Sequence, residues 1–294
     1  MTFKSDFRKS GARVRRAGGG PRRGGIAVGG GLGGLLLVGL FLMLGGDPAM
    51  LADGGGGPEP APGAGQGAGA DPCETGADAN RRADCRVEFT GISLDRVWAE
   101  QLPAQAGIEY RAPELALFRG GVATGCGAAD AATGPFYCPA DRTAYFDTSF
   151  FDTLVRLGGS DGPLAQQYVV AHEVGHHIQH LEGTLGRSDY GDPGADSDAV
   201  RIELQADCYA GIWAHFADKG PEAILEPLTD AQVAQAVETA RAIGDDSIQR
   251  HSGRGVDPDA WTHGSSEQRR GAFLAGYRSG RMASCDTLGR GAYR

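Results

Sequence analysis

Residues 172–176 read His-Glu-Val-Gly-His, inside a stretch from Leu164 to Leu181 whose apolar residues fall at 164, 168, 171, 174, 178 and 181. That spacing is a helical stripe, and Gly183 stands where such a helix would end. Helical side chains four apart share a face, so His172 and His176 can bring imidazole nitrogens to one ion at about 2.0–2.1 Å. Glu173 lies beside that face. It is placed to take a proton from a water activated by the ion and to return it to a leaving amine. A zinc site that does chemistry needs a third protein ligand and an open position. The pattern therefore demands a second element packed against the first.

The next helical pattern supplies it. Ser197 is a good N-cap for a helix from Asp198 to about Ala217, with Val200, Leu204, Ile212, Trp213 and Phe216 on its apolar face. Glu203 and Asp207 lie one turn apart on that helix. Alone, such a pair reads as a solvated acidic face. With Leu204, Ala206, Tyr209 and Ala210 around it, and after His-Glu-Val-Gly-His, Glu203 reads as the third ligand. Asp207 reads as the acceptor for the far nitrogen of a ligand histidine. His177 and His180 fall off the ligand face. His263, in Trp261-Thr262-His263-Gly264-Ser265-Ser266, precedes a helix start and has two open readings: a donor to a developing oxyanion, or a helix-entry residue with no catalytic task. Asp189, Asp192, Asp196 and Asp198 fit no calcium-loop spacing and read as a solvated connection.

The N-terminal quarter has a different character. Residues 1–25 carry eight Lys/Arg against one acid, leaving 20 basic and 36 acidic residues in the rest of a chain of net charge -9. Such an acidic body excludes a nucleic-acid-binding surface, which needs clustered basic residues. Ile26 to Leu44 is an uncharged run of 19 residues, long enough as a helix for a bilayer core of about 30 Å. It reads as a single transmembrane anchor in the lipid bilayer. A cleaved signal peptide is the alternative, but the run is long for that role and no A-x-A site follows. The flanking Arg22 and Arg23 put residues 1–25 in the cytoplasm as a basic tail, and everything after Leu44 outside. Residues 45–71 are Gly, Pro and Ala with hardly a large apolar side chain, a flexible stalk. Residues 72–294 remain for the domain.

Outside the cytoplasm, Cys73, Cys85, Cys126, Cys138, Cys208 and Cys285 read as three disulfides, since they are even in number and lack C-x-x-C spacing. Fifteen connectivities are possible for six cysteines, with Cys73–Cys85 and Cys126–Cys138 the local choices. Thiol ligation of zinc is the rival reading. Leu94 to Leu102 has helical spacing. Glu114 to Phe118 reads as a strand ending at Gly120-Gly121, and Pro135 to Pro139 as a turn leading into a strand over Thr143 to Asp147. Asp230 to Ile243 and Ser266 to Tyr277 read as further helices, the latter opened by a capping box at Ser265-Ser266-Glu267-Gln268. Strands first and helices after predict an α+β domain.

Several stretches together resemble the bacterial family called putative neutral zinc metallopeptidases. They are Thr124 to Gly127, Gly134 to Asp141, Tyr168 to Gln179, Glu203 to Gly211, Ile243 to Gln249 and Thr262 to Arg269, and the Leu44-Gly45-Gly46-Asp47-Pro48 end of the glycine-rich segment resembles the family's anchor. The resemblance implies a compact zincin or gluzincin-like domain, a small sheet plus active-site helices with a thermolysin-like core, after a single N-terminal transmembrane helix. It implies Zn2+ held by His172, His176 and Glu203, a peptide or protein substrate, and Cys126–Cys138 and Cys208–Cys285 as bridges. Cys73 and Cys85 stand where the family has a helical lead-in, and the connection between the metal-bearing helices is Asp-rich. Hydrolysis of a peptide bond is the leading expectation. A catalytically silent zinc-containing scaffold and an amidase acting on cell-wall peptides are the alternatives.

Overall fold

The computed structural model describes residues 2–17, 73–130, 133–253 and 255–293. Strand β1 (Val14–Arg16) comes first, followed by helices α1 (Gly76–Arg81) and α2 (Ala83–Ala106). Strands β2 (Glu114–Phe118), β3 (Gly121–Thr124), β4 (Gly127–Asp130), β5 (Phe136–Cys138) and β6 (Thr143–Asp147) come next. Helices α3 (Phe150–Arg156), α4 (Pro163–Glu182), α5 (Asp198–Phe216), α6 (Asp230–Ala242), α7 (Asp245–His251) and α8 (Ser266–Ser279) follow, with a short 3-10 turn at Met282–Cys285 after them. The domain is α+β, but α1 and α2 precede strands β2 to β6, so the expected order of strands first and helices after does not hold. Four strands form one sheet in the order β1-β2-β6-β5, with β1 and β6 parallel to β2 and β5 antiparallel to β6. Strands β3 and β4 form a separate antiparallel pair.

Local chemistry sets the helix ends. Ser197 accepts from the Val200 amide, Ser265 and Gln268 form a reciprocal capping box, and Gly183 closes α4 in the left-handed conformation at φ 72°. The core lies between α2, α4, α5 and α8, where Trp98, Tyr168, Tyr209, Trp213 and Phe273 are fully buried. Trp98 meets Tyr209 edge-on at 5.4 Å, and the Trp213 indole donates to Ser93 at 3.0 Å.

Two glycines let helix backbones touch. A Cβ on Gly276 of α8 would stand 1.9 Å from the Cys208 carbonyl oxygen of α5, and one on Gly175 of α4 would stand 2.9 Å from the Ala206 carbonyl oxygen. The second approach lies inside His-Glu-Val-Gly-His and brings α5 against the histidine face. Gly276→Ala is expected to destabilise the fold by about 1–3 kcal/mol through overpacking. A denaturant midpoint equal to wild type would show that the two helices part without cost.

The N-terminal residues require a correction. From sequence they form a tail across a membrane from the domain, yet residues 2–17 fold into it. Phe3 is fully buried, edge-on to Phe89 at 5.7 Å, and Asn80 bonds the Thr2 and Phe3 amides at 3.0 Å and the Phe3 carbonyl at 2.8 Å. Strand β1 pairs with β2 in the register Val14 to Leu115. One span between residues 17 and 73 would separate these parts by a bilayer, so they cannot pack together and also lie on opposite sides. The expected span, 26–44, and stalk, 45–71, lie outside the described residues. Among the described residues no helix is long and apolar enough to cross a membrane. The single-pass placement with an extracytoplasmic domain is thereby corrected.

The basic residues have another use. Lys9 pairs with Glu88, Arg13 with Asp95 at 2.6 Å and Arg16 with Asp84 at 3.0 Å, all three acids belonging to α2. Three of the basic residues thus serve an intramolecular complementarity with α2. Residues 73–95, whose fold the sequence leaves open, form α1 and the first half of α2, tied by Cys73–Cys85, and the helical spacing of Leu94 to Leu102 falls in the second half of α2.

Candidate active site

Helices α4 and α5 bring His172, His176 and Glu203 together, all buried, with one ligand atom from each lying within 4.8 Å of the others. Glu203 Oε2 is 3.1 Å from His172 Nε2, and Glu203 Oε1 is 3.5 Å from His176 Nε2. Two ligands bound to a tetrahedral ion at 2.0–2.1 Å are about 3.3 Å apart. These separations, one to each oxygen of Glu203, are close to that spacing, and the chemistry of the donor set, two imidazoles and a carboxylate, fits a metal ion. The other cluster of this kind among the described residues, Cys73, Asp84 and Cys85, has its sulfurs joined as a disulfide. All six cysteines are paired, Cys126 with Cys138 and Cys208 with Cys285.

Asp207 lies behind His172. Its Oδ1 accepts from His172 Nδ1 at 2.8 Å and from the Tyr168 hydroxyl, and Arg269 donates to Oδ2 at 2.9 Å and Oδ1 at 3.0 Å. With Nδ1 donating, His172 Nε2 is the nitrogen turned toward Glu203, the tautomer a metal ligand needs. Burial opposes charge on His172, but Asp207 and Glu203 outweigh it and hold the imidazole up at about 10. Burial dominates at His176 and brings it down to about 4. Glu203 is held below the ordinary carboxylate range, the histidines overcoming the cost of its burial.

Glu173 is buried, and its Oε2 has no hydrogen-bond partner. Burial, joined by the charge of Glu203, pushes its carboxyl up to about 7. Glu173 Oε2 is thus a buried acceptor with no protein partner in the pocket where the three ligand residues converge. The pocket that holds Glu173 is also lined by His172, His176, Glu203, His263 and Arg269, with an apolar wall from Phe150, Val169 and Ile243. His263 Nδ1 lies 3.3 Å from Asp245 Oδ1, and the other oxygen of Asp245 accepts the His263 amide at 2.7 Å. Burial works against charge on His263, and Asp245 outweighs it, so the imidazole titrates above its ordinary value. The Tyr190 hydroxyl donates to Glu203 Oε1 at 3.3 Å from the connection between α4 and α5.

The family model described as "Putative neutral zinc metallopeptidase" matches residues 3–288. The chain belongs to this family. Membership implies a metal cofactor and a peptide or protein substrate. "Uncharacterized protein Rv2575" of Mycobacterium tuberculosis strain H37Rv is 50% identical over 222 residues, covering 74% of each chain. "Uncharacterized protein YpfJ" of Escherichia coli K12 is 41% identical over 215 residues, or 70% of this chain and 73% of its own. No solved structure matches. The α+β class stands, but the zincin or gluzincin-like core implied by the resemblance is not shown, and the expected N-terminal transmembrane helix is not found among the described residues.

His172, Glu173, His176, Glu203, Asp207 and His263, the candidates the sequence offers, come together in the structure, five lining the pocket and Asp207 bonded behind His172. His177 lies off the site as expected: Nδ1 meets the Tyr137 hydroxyl at 2.9 Å and Nε2 the Arg111 carbonyl at 2.6 Å. Asp189, Asp192 and Asp196 are exposed. Missed were Arg269, Tyr168, Tyr190 and Asp245. Arg269 is 2% exposed, and a buried arginine needs a buried acid. That signal was present, since Asp207 already stood as a buried carboxylate without a cationic partner.

Proposed function

We propose that this chain is a zinc-dependent peptidase. His172, His176 and Glu203 hold the ion and Glu173 is the general base. The carrying observation is the convergence of three buried ligand residues, His172, His176 and Glu203, beside a buried carboxylate oxygen with no hydrogen-bond partner. When bound, zinc supplies Lewis acidity that activates water and polarises a carbonyl. Glu173 Oε2 holds the attacking water and receives its proton. Burial has raised the carboxyl toward neutrality, so it can hand that proton on to the departing amine. Asp245 fixes His263 and favours its charged form, in which Nε2 donates to the oxyanion that develops on the carbonyl. Asp207 and Arg269 hold His172 in the ligating tautomer.

A silent zinc scaffold would have no use for Glu173, whose burial without a hydrogen bond to Oε2 is a cost to folding. The full chain is expected to bind one zinc per molecule. Glu203→Ala should weaken that binding by more than the roughly 10–100-fold typical of losing a mere supporting partner. Competition with a chromophoric chelator measures it, and unaltered affinity in the Ala variant would remove Glu203 from the ligand set.

A further inference from the structure

His172 rests on a carboxylate, but His176 rests on an amide. Its Nδ1 lies 2.9 Å from Gln179 Oε1. An amide can present either oxygen or nitrogen, so its far end must decide which. Gln179 Nε2 donates to the Ile202 carbonyl at 2.7 Å and to Gln205 Oε1 at 3.1 Å. Gln205 Nε2 in turn donates to the Cys285 carbonyl at 3.0 Å and to the Tyr293 hydroxyl at 3.1 Å. Both glutamines are fully buried, so water does not compete for these groups.

The chain of bonds has one direction. A carbonyl only accepts, so the Cys285 carbonyl makes Gln205 turn its nitrogen outward and its oxygen toward Gln179. Together with the Ile202 carbonyl, that oxygen makes Gln179 turn its own oxygen toward His176. His176 Nδ1 must then carry the proton, leaving the Nε2 lone pair facing Glu203. The carbonyl at the origin is itself pinned, because Cys285 is bonded to Cys208, three residues after Gln205 on α5.

We infer that the Cys208–Cys285 disulfide, acting through Gln205 and Gln179, is a positioning element that fixes His176 in its metal-binding tautomer. This rests on the reading of His176 as a ligand. It assigns Gln179 and Gln205 a task in metal affinity, and it makes that affinity sensitive to reduction of one bridge.

The test uses the full chain and two readouts. In metal-free protein, imidazole 15N chemical shifts report the His176 tautomer without any zinc. Wild type should show protonated Nδ1 alone, and Gln179→Met and Gln205→Met should show mixed tautomers. Zinc affinity from chelator competition should fall about 10–100-fold in Gln179→Met and about tenfold in Gln205→Met and in C208A/C285A. Thermal unfolding of the metal-free variants identifies any that fail to fold, and Gln205→Met keeps the test open if the disulfide variant does. If Gln205→Met leaves the tautomer unmixed and zinc affinity within about twofold of wild type, the relay is wrong while the metal site stands. A wild-type chain that takes up no zinc would instead defeat the reading of the site.

Discussion

Glu173→Gln is expected to keep the fold and the zinc while lowering kcat/KM for peptide hydrolysis by roughly 10²–10⁴-fold, the contribution of a positioned general base. Glutamine matches glutamate in volume, so the packing of α4 against α5 does not change. It removes the basic oxygen that is buried without a partner and cannot take a proton from water. Wild-type activity carries a pH signature of the same group. Glu173 must be ionised to act, and burial holds it up at about 7 without metal. kcat/KM should therefore fall about tenfold per pH unit below the pKa of Glu173, and a bound cation moves that limb to lower pH. Steady-state kinetics on both proteins, with zinc content measured in parallel, check this. A Gln variant that keeps wild-type rates would end the role of Glu173.

Removal of residues 2–17 is expected to abolish folding. Phe3 is fully buried against Phe89, and losing such a ring costs about 3–5 kcal/mol. Glu88 is 5% exposed and would lose Lys9, and an uncompensated buried charge costs about 3–5 kcal/mol more. Strand β2 would also lose its parallel partner and become an unpaired edge. Together these losses rival the roughly 5–15 kcal/mol that holds a typical domain folded. The single variant Phe3→Ala should remain folded with a lowered denaturant midpoint. A truncated protein with a full-length unfolding transition would show that the N-terminal segment is a passenger.

How much was legible in the sequence depended on distance along the chain. The α4 stripe, the Ser197 cap, the Ser265 capping box and strand β2 are local patterns, and each formed where its residues dictated. Glu203 and Asp207 were legible because a metal bound by two histidines requires a third ligand from a second helix. The partners of those acids were harder to see. Arg269 meets Asp207 across 62 residues and Asp245 meets His263 across 18, pairings that only the packed helices define. Local chemistry misled most at the N-terminus. Arg22 and Arg23 abut an apolar run and further basic residues precede them, the signature of a membrane flank, and nothing local reveals that the counter-charges of Lys9, Arg13 and Arg16 lie about 70 residues or more away on α2.

The most direct test of the account exposes the zinc-loaded full chain to an unbiased peptide library and reads the products by mass spectrometry. Cleaved peptide bonds are expected, with cleavage lost on chelation, restored by zinc and absent in Glu173→Gln. One zinc per chain with every peptide left intact would contradict it.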